Sequence, residues 1–284
     1  MVVLSSDQAL EKLQHCELDL LLAFAAFCDE HSLTWFLDSG SALGAVRHRG
    51  FIPWDDDVDV GMPREDYDAM LRLSEEFPDG YSVHTLHNTS GYTSLFAKLY
   101  KDGTSFENEL TREAGTEQGI FLDIFPYDFL VDDSSRAAFQ KRNARIWQAM
   151  LYMYRLKHVS PWHSGCLGSL EKGFSRVGHT VLYPFLSPER IERKFNRSIP
   201  VSGESISSLL IATPWPQYGP FPSDVLFPTA MRTFEGYEFP VPRKVDSYLE
   251  IMYGDWRTLP KPEDRHTHMP VFIDFGDGSC WSRG

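Results

Sequence analysis

Four aspartates, Asp55, Asp56, Asp57 and Asp59, fall within five consecutive positions. Clustered carboxylates bind hard cations. In Asp57-Val58-Asp59-Val60 they alternate with β-branched apolar residues. A strand of period two puts both carboxylates on one face and both valines on the other, so one face enters the core while the other is left to hold metal. Two carboxylates and a few waters are the usual protein share of a Mg²⁺ site, with substrate phosphates completing the octahedron. The pattern therefore points to phosphoryl transfer with Mg²⁺, or Mn²⁺, bound by Asp57 and Asp59. Arg47, His48, Arg49 and Arg64 flank the cluster, and arginines there can grip phosphate oxygens bidentately while balancing the carboxylates. Lys98 stands in an otherwise apolar strand candidate, so a phosphate or a carboxylate should meet its charge.

The elements that must position these groups can be read around them. Ser5 and Gln8 have capping-box spacing and open a helix from about 6 to 31. Leu33, Trp35 and Leu37 alternate as a strand, Gly40-Ser41 breaks it, and Ala42 to Arg47 forms a short helix stopped at Gly50. The aspartate strand follows, and Pro63-Arg64-Glu65-Asp66 is the first turn of the next helix. Further strands are expected after the Pro78-Asp79-Gly80 turn and around Leu95 to Tyr100. Gly119 to Pro126 is apolar except for Asp123, which predicts a central strand delivering one carboxylate from inside the sheet.

Beyond it, helices are expected from Ser134 to His158, near Leu170 to Leu186, after Ser187-Pro188, and from Lys244 to Tyr253, ended by Gly254. A short strand is expected at Tyr237 to Val241. The fold class is α/β (α+β): a nucleotidyltransferase-like mixed sheet with flanking helices and a helical second half. The expected organisation is one domain over 1–284, with a catalytic core of about 15–130 and a helical, acceptor-side layer of about 131–268.

A formal net charge of −13 argues against sequence-independent binding to nucleic acid, since a bare polyanion is repelled at long range. Four scattered cysteines without a CxxC pair fit a reducing compartment. The N-terminal segment lacks a basic leader, and its apolar run LDLLLAFAAF is shorter than the roughly 18 residues of a spanning helix. The expectation is a soluble, cytoplasmic protein with no integral membrane segment.

Other chemistries fit the sequence less well. Asp55, Asp57 and Asp59 stand at the first, third and fifth positions of an EF-hand calcium loop, yet Val60, Pro63 and Asp66 occupy places that need glycine, a ligand and a bidentate glutamate. Asp57-Val58-Asp59 also matches the short metal motif of sugar-nucleotide glycosyltransferases, which is weak alone. His158, His163 and Cys166 lack a fourth ligand for structural zinc, and His266 and His268 could face the active site.

A Gly-Ser turn followed by an Asp-Val-Asp strand is the arrangement of the nucleotidyltransferase fold, where backbone amides near the turn hold phosphate. The run GSALGAVRHRGFIPWDDDVDVGMPREDY resembles the LicD family of phosphorylcholine transferases, which shares a domain with fukutin and fukutin-related protein. GIFLDIFPYD at Gly119 to Asp128 looks like the family's second motif, and FEGYEFPVP with YLEIMYGDWRTLP looks like its C-terminal block. The resemblance spans roughly residues 15–268, with no matched motif from about 134 to 200.

The resemblance implies transfer of a phosphorylated small alcohol from a CDP carrier, typically CDP-choline, to a glycan hydroxyl. It implies Asp57 and Asp59 as metal ligands, Asp123 as the third carboxylate, and Gly40 and Ser41 as the phosphate-side turn, with Ser41 replacing the family's common threonine. CDP-ribitol and CDP-glycerol remain alternative donors. Teichoic acid and lipopolysaccharide are among the acceptors it allows. The expected chemistry is attack on the β-phosphorus of CDP-choline with CMP leaving and Asp123 as base. Trp54, Trp215, Tyr218 and Trp256 are candidates for a choline cage.

Overall fold

A computed structural model of the 284-residue chain describes residues 2–155, 186–261, 265, 267 and 269–283. The expected features at His158, His163, Cys166, His266 and His268, and the expected helix near Leu170 to Leu186, lie outside the described residues.

The opening helix, Ser6–Glu30, is capped as its sequence dictates: Ser5 accepts from the backbone of Gln8 while the Gln8 side chain accepts from the backbone of Ser5. Its apolar stripe, including Leu13, Leu20, Leu21 and Phe24, is fully buried. That stripe packs on a mixed sheet whose strands run in the order Phe36–Leu37, Asp59–Pro63, Ile120–Val131, Ala97–Lys101 and Tyr81–His84. The 12-residue strand Ile120–Val131 is the spine. It pairs in parallel with Asp59–Pro63, antiparallel with Ala97–Lys101, and, in its second half, antiparallel with Ile206–Ala212.

Register places the charges. Asp59 stands opposite Asp123, and Asp123 stands opposite Lys98. Residues opposite one another in register point to the same side of a sheet, so these three share one face. Val60, Ile124 and Ala97, aligned one step along, share the other face and are fully buried. Gly61 admits the aromatic packing beside this row: a Cβ there would sit 2.5 Å from the ring of Phe36 and 2.8 Å from that of Tyr127.

The second half supplies the helices Ser134–Arg155, Pro188–Phe195 and Val245–Tyr253. It also supplies strands that the sequence did not announce: Ile206–Ala212 and Phe221–Pro222 extend the main sheet, and Ala230–Phe234 pairs with the anticipated Tyr237–Val241. Near the C-terminus, Ser279–Ser282 pairs with both Val2–Val3 and Phe272–Asp274, and the latter pairs with Ser105–Glu107. The hairpin 230–241 packs on the acidic motif's own segment: Phe234 meets Phe51 edge-on at 4.9 Å, and the Phe51 backbone N–H donates to Glu235 at 3.0 Å.

Candidate active site

Three local devices aim the acidic residues. The first corrects an expectation: the strand ends at Leu37, and Gly40 and Ser41 are not a turn ahead of the helix but lie in the first turn of the helix Ser39–Arg47, whose N-cap is Asp38. The carboxylate of Asp38 is buried and accepts from the Ser39 backbone at 2.7 Å, from the Tyr127 hydroxyl at 3.0 Å, and from the Tyr248 hydroxyl. Burial raises its pKa, against the effect of those donors. The sequence reading missed Asp38, because two of its donors come from elements 89 and 210 residues away.

The second device is Ser41, whose buried hydroxyl accepts from the Asp59 backbone N–H at 2.9 Å and so fixes where the acidic strand begins. Gly40 beside it leaves room for Asp55: a Cβ on Gly40 would lie 3.0 Å from the Asp55 carboxylate. The strand itself is shorter than expected, starting at Asp59, with Asp55 to Val58 in the loop before it. The alternation survives, since Val58 and Val60 are fully buried while Asp57 and Asp59 keep an exposed edge. Pairing of residues 59–63 into the sheet also removes the EF-hand alternative, which needs these positions to curl around an ion.

The third device is the ion pair of Asp123 with Lys98 at 2.6 Å. The Lys98 ammonium lies over the ring of Phe121, 3.5 Å from its centroid, which lowers the cost of holding the charge in a buried place. The expected partner of Lys98 is thus a carboxylate.

These groups open into a cavity of about 410 Å³. Its lining combines acidic residues, Asp38, Asp55, Asp57, Asp59 and Asp123, with aromatic ones, Phe125, Tyr127, Trp215, Tyr218 and Tyr253. Burial, then the neighbouring Asp57 and Asp56, push the Asp55 pKa up to about 8. Burial, then Asp57 and Asp123, push Asp59 well above the carboxylate range. Asp123 is raised by burial, with Lys98 opposing. Glu17, buried on the opening helix, is raised by burial and then by Asp57, Asp56 and Asp55.

An all-oxygen cluster that repels itself this strongly suits a hard divalent cation in donor chemistry and charge. Among the described residues, no three or more acidic, histidine or cysteine side chains are grouped so that they could hold a metal ion together.

Of the anticipated binding residues, Gly40, Asp57, Asp59 and Asp123 line the cavity. Ser41 supports it from beneath. Arg64 is turned to Asp128, to which it donates twice at 2.8 Å. Arg47 donates to the Trp256 carbonyl at 3.1 Å. Of the aromatic candidates, Trp215 and Tyr218 reach the rim. Trp256 is buried beneath Arg257, and Trp54 stacks with Arg265. Tyr253, which the sequence reading placed in a motif without a role, lines the cavity from the end of the helix Val245–Tyr253.

Residues 32–164 match the nucleotidyltransferase domain of the LicD/FKTN/FKRP family. Over 260 residues, 88% of this chain and 92% of the other, the sequence is 26% identical to the lipopolysaccharide cholinephosphotransferase LicD of Haemophilus influenzae. It is also 40% identical over 55 residues to an uncharacterized protein of Rickettsia prowazekii, covering 19% of this chain and 21% of the other. An uncharacterized protein of Rickettsia typhi is 33% identical over 85 residues, 28% of each chain. The match to the LicD-family nucleotidyltransferase domain over residues 32–164 agrees with the resemblance that the motifs suggested. Among the described residues no helix is long and apolar enough to cross a membrane.

Proposed function

We propose that this LicD-domain protein is a phosphotransferase that moves phosphocholine from CDP-choline to a hydroxyl of a cell-surface glycan precursor, releasing CMP, on the cytoplasmic side of the membrane. Likeness along nearly the whole chain to a lipopolysaccharide cholinephosphotransferase supports the reaction class. The finer reading rests on one observation: acidic and aromatic side chains line the same cavity. The carboxylates suit a metal-bound diphosphate, and the aromatic rings suit a quaternary ammonium.

Asp57 and Asp59 would hold Mg²⁺, which when bound neutralises charge on the transferring phosphoryl group and on the departing CMP. Trp215 and Tyr218 offer ring faces at the rim to the trimethylammonium group. The acceptor hydroxyl oxygen bonds to the β-phosphorus, the bond from that phosphorus to the CMP oxygen breaks, and the hydroxyl proton passes to Asp123. A carboxylate whose pKa burial has raised is a stronger base than one in water, and Lys98 at 2.6 Å opposes that rise and favours the ionised form. CDP-ribitol and CDP-glycerol carry neutral polyols that would gain nothing from cation–π contact, so the aromatic side chains favour choline.

Purified protein with Mg²⁺, a panel of CDP-choline, CDP-ribitol, CDP-glycerol and UDP-sugars, and a glycan extract as acceptor provides the test. CMP release from CDP-choline that stops with chelator is expected. UDP or UMP release without CMP would replace this reading with a glycosyltransferase.

A further inference from the structure

Outside the donor cavity, charge is spread unevenly along the chain. The sequence holds 27 Lys and Arg against 40 acidic residues. Its described stretches 134–155 and 186–198 reverse that balance, with nine Lys and Arg against two Glu. The two stretches pack on one another: the Asn143 side chain donates to the Lys194 carbonyl at 2.7 Å and to the Ser198 hydroxyl at 2.9 Å. The fold thereby gathers a basic layer from an acidic protein.

A cavity of about 430 Å³ in this layer is lined by Arg190, Arg193, Lys194 and Arg197 together with Trp147 and Leu186. The four cations recur at helical spacing along the helix Pro188–Phe195 and the turn after it, so they share one side, while Ile191 and Phe195 bury the other. The acidic residues of that helix are engaged elsewhere. Glu192 pairs with His87 at 2.9 Å, and Glu189 accepts from the Ser187 side chain. Arg193, Lys194 and Arg197 are exposed and enter no ion pair among the described residues. Like charges three and four residues apart repel on a helix, and negative charge from outside the chain relieves that repulsion.

The spread and makeup of the face fit one kind of occupant. From Arg190 to Arg197 the chain rises about 10 Å, further than one phosphate group reaches, so the four cations match a surface that carries many phosphates. A nucleic acid would bring its charge near the rest of the chain, which is acidic. A flat anionic surface touches one side of the protein only. Trp147 and Leu186 among the cations suit the boundary between lipid headgroups and acyl chains, where aromatic and apolar side chains collect beside Lys and Arg.

We propose that this basic face binds the phosphate headgroups of an anionic lipid bilayer and holds the protein at the membrane surface. Such a contact needs neither nucleotide nor metal and is independent of the transferase reading. Each cation facing the lipid tightens binding about fivefold, and salt weakens it by screening.

Vesicle flotation of the full chain, without nucleotide or metal, is the test. The vesicles are phosphatidylcholine alone and phosphatidylcholine mixed with phosphatidylglycerol. Binding to the mixed vesicles but not to the neutral ones is expected, and it should fall as salt is raised. Arg193→Gln combined with Arg197→Gln should weaken it at least about tenfold. The same loss of charge at two exposed arginines elsewhere, Arg232→Gln combined with Arg243→Gln, should leave it unchanged. Tm should stay at the wild-type value in both double variants, because all four side chains are exposed.

Equal binding to both kinds of vesicle, or binding that both double variants weaken alike, would overturn the assignment of this face. So would binding of inorganic phosphate or of a single-stranded oligonucleotide without binding to vesicles, or no binding to any of them. A Tm lowered only by the Arg193 and Arg197 substitutions would make those residues structural instead. Failure of CDP-choline to bind, measured separately with Mg²⁺, would remove the donor assignment and leave the vesicle result standing.

Discussion

The two faces of the central strand are built by opposite rules. On one, Leu122 and Ile124 are fully buried beneath the opening helix, and every group there is stabilised by leaving water. On the other, one residue along, Asp59, Asp123 and Lys98 stand side by side at a partly closed cavity where the carboxylates raise one another's pKa. The first face holds the fold together. The second crowds like charges together, which burial and their neighbours push up in pKa. A period of two lets adjacent residues of one strand serve both ends.

Breaking the single pair that steadies the charged face should have the largest effect. Lys98→Met leaves Asp123 without its ammonium in a site that remains largely buried, and loss of one partner of a buried pair costs about 3–5 kcal/mol. Urea unfolding of the variant measures this, and a change under about 1 kcal/mol would mean that the pair contributes little. On the apolar face, Leu122→Ala should cost about 2–5 kcal/mol by transfer and cavity terms. Its turnover per folded molecule should stay near that of the wild type, which separates the packing face from the chemical one.

The contrast sharpens with Asp57→Asn and Asp59→Asn. Each should reduce CMP release by about 10² or more, equivalent to about 2.7 kcal/mol at the transition state. Each should leave Tm equal or higher, since a repelling charge has been removed from the cluster. Near wild-type turnover in Mg²⁺ by either variant would remove that residue from the metal assignment.

Those residues also show what the sequence can and cannot display. Local signals were legible: the Ser5–Gln8 box, the burial of Val58 and Val60 between exposed-edged aspartates, and the lone Asp123 in a central strand all depend on neighbours a few positions away. Pairing was not. That Lys98 meets Asp123 follows from an antiparallel register, and that Arg64 meets Asp128 rather than a phosphate follows from how the helix Arg64–Arg72 sits on the sheet. Asp38 looked like an ordinary polar residue because Tyr127 and Tyr248, which hold it, are distant in sequence. The strands at Ile206–Ala212 and Ser279–Ser282 are irregular in pattern, and their partners define them more than their residues do.

The smallest predicted effect concerns a carboxylate in the opposite circumstances from Asp55. Asp277, at the terminal sheet, is exposed and surrounded by donors: the Lys12 ammonium, the Ser279 hydroxyl at 2.7 Å and the Ser279 backbone N–H at 3.0 Å. The Lys12 and Ser279 hydrogen bonds hold its pKa well below the usual carboxylate range, whereas burial among like charges pushes Asp55 up to about 8. A depressed folded-state pKa gives stability that is present above the unfolded value, about 3.9, and is lost as pH falls through the lower folded value. The Tm of wild type should therefore exceed that of Asp277→Asn by a small margin near pH 7, and the margin should close as pH is lowered from about 4 towards 2. Melting curves of both proteins across that range decide it: a margin that stays constant down to pH 2 would mean that Asp277 keeps the same pKa folded and unfolded, and that donors in open water cannot do to a carboxylate what burial does in the cavity.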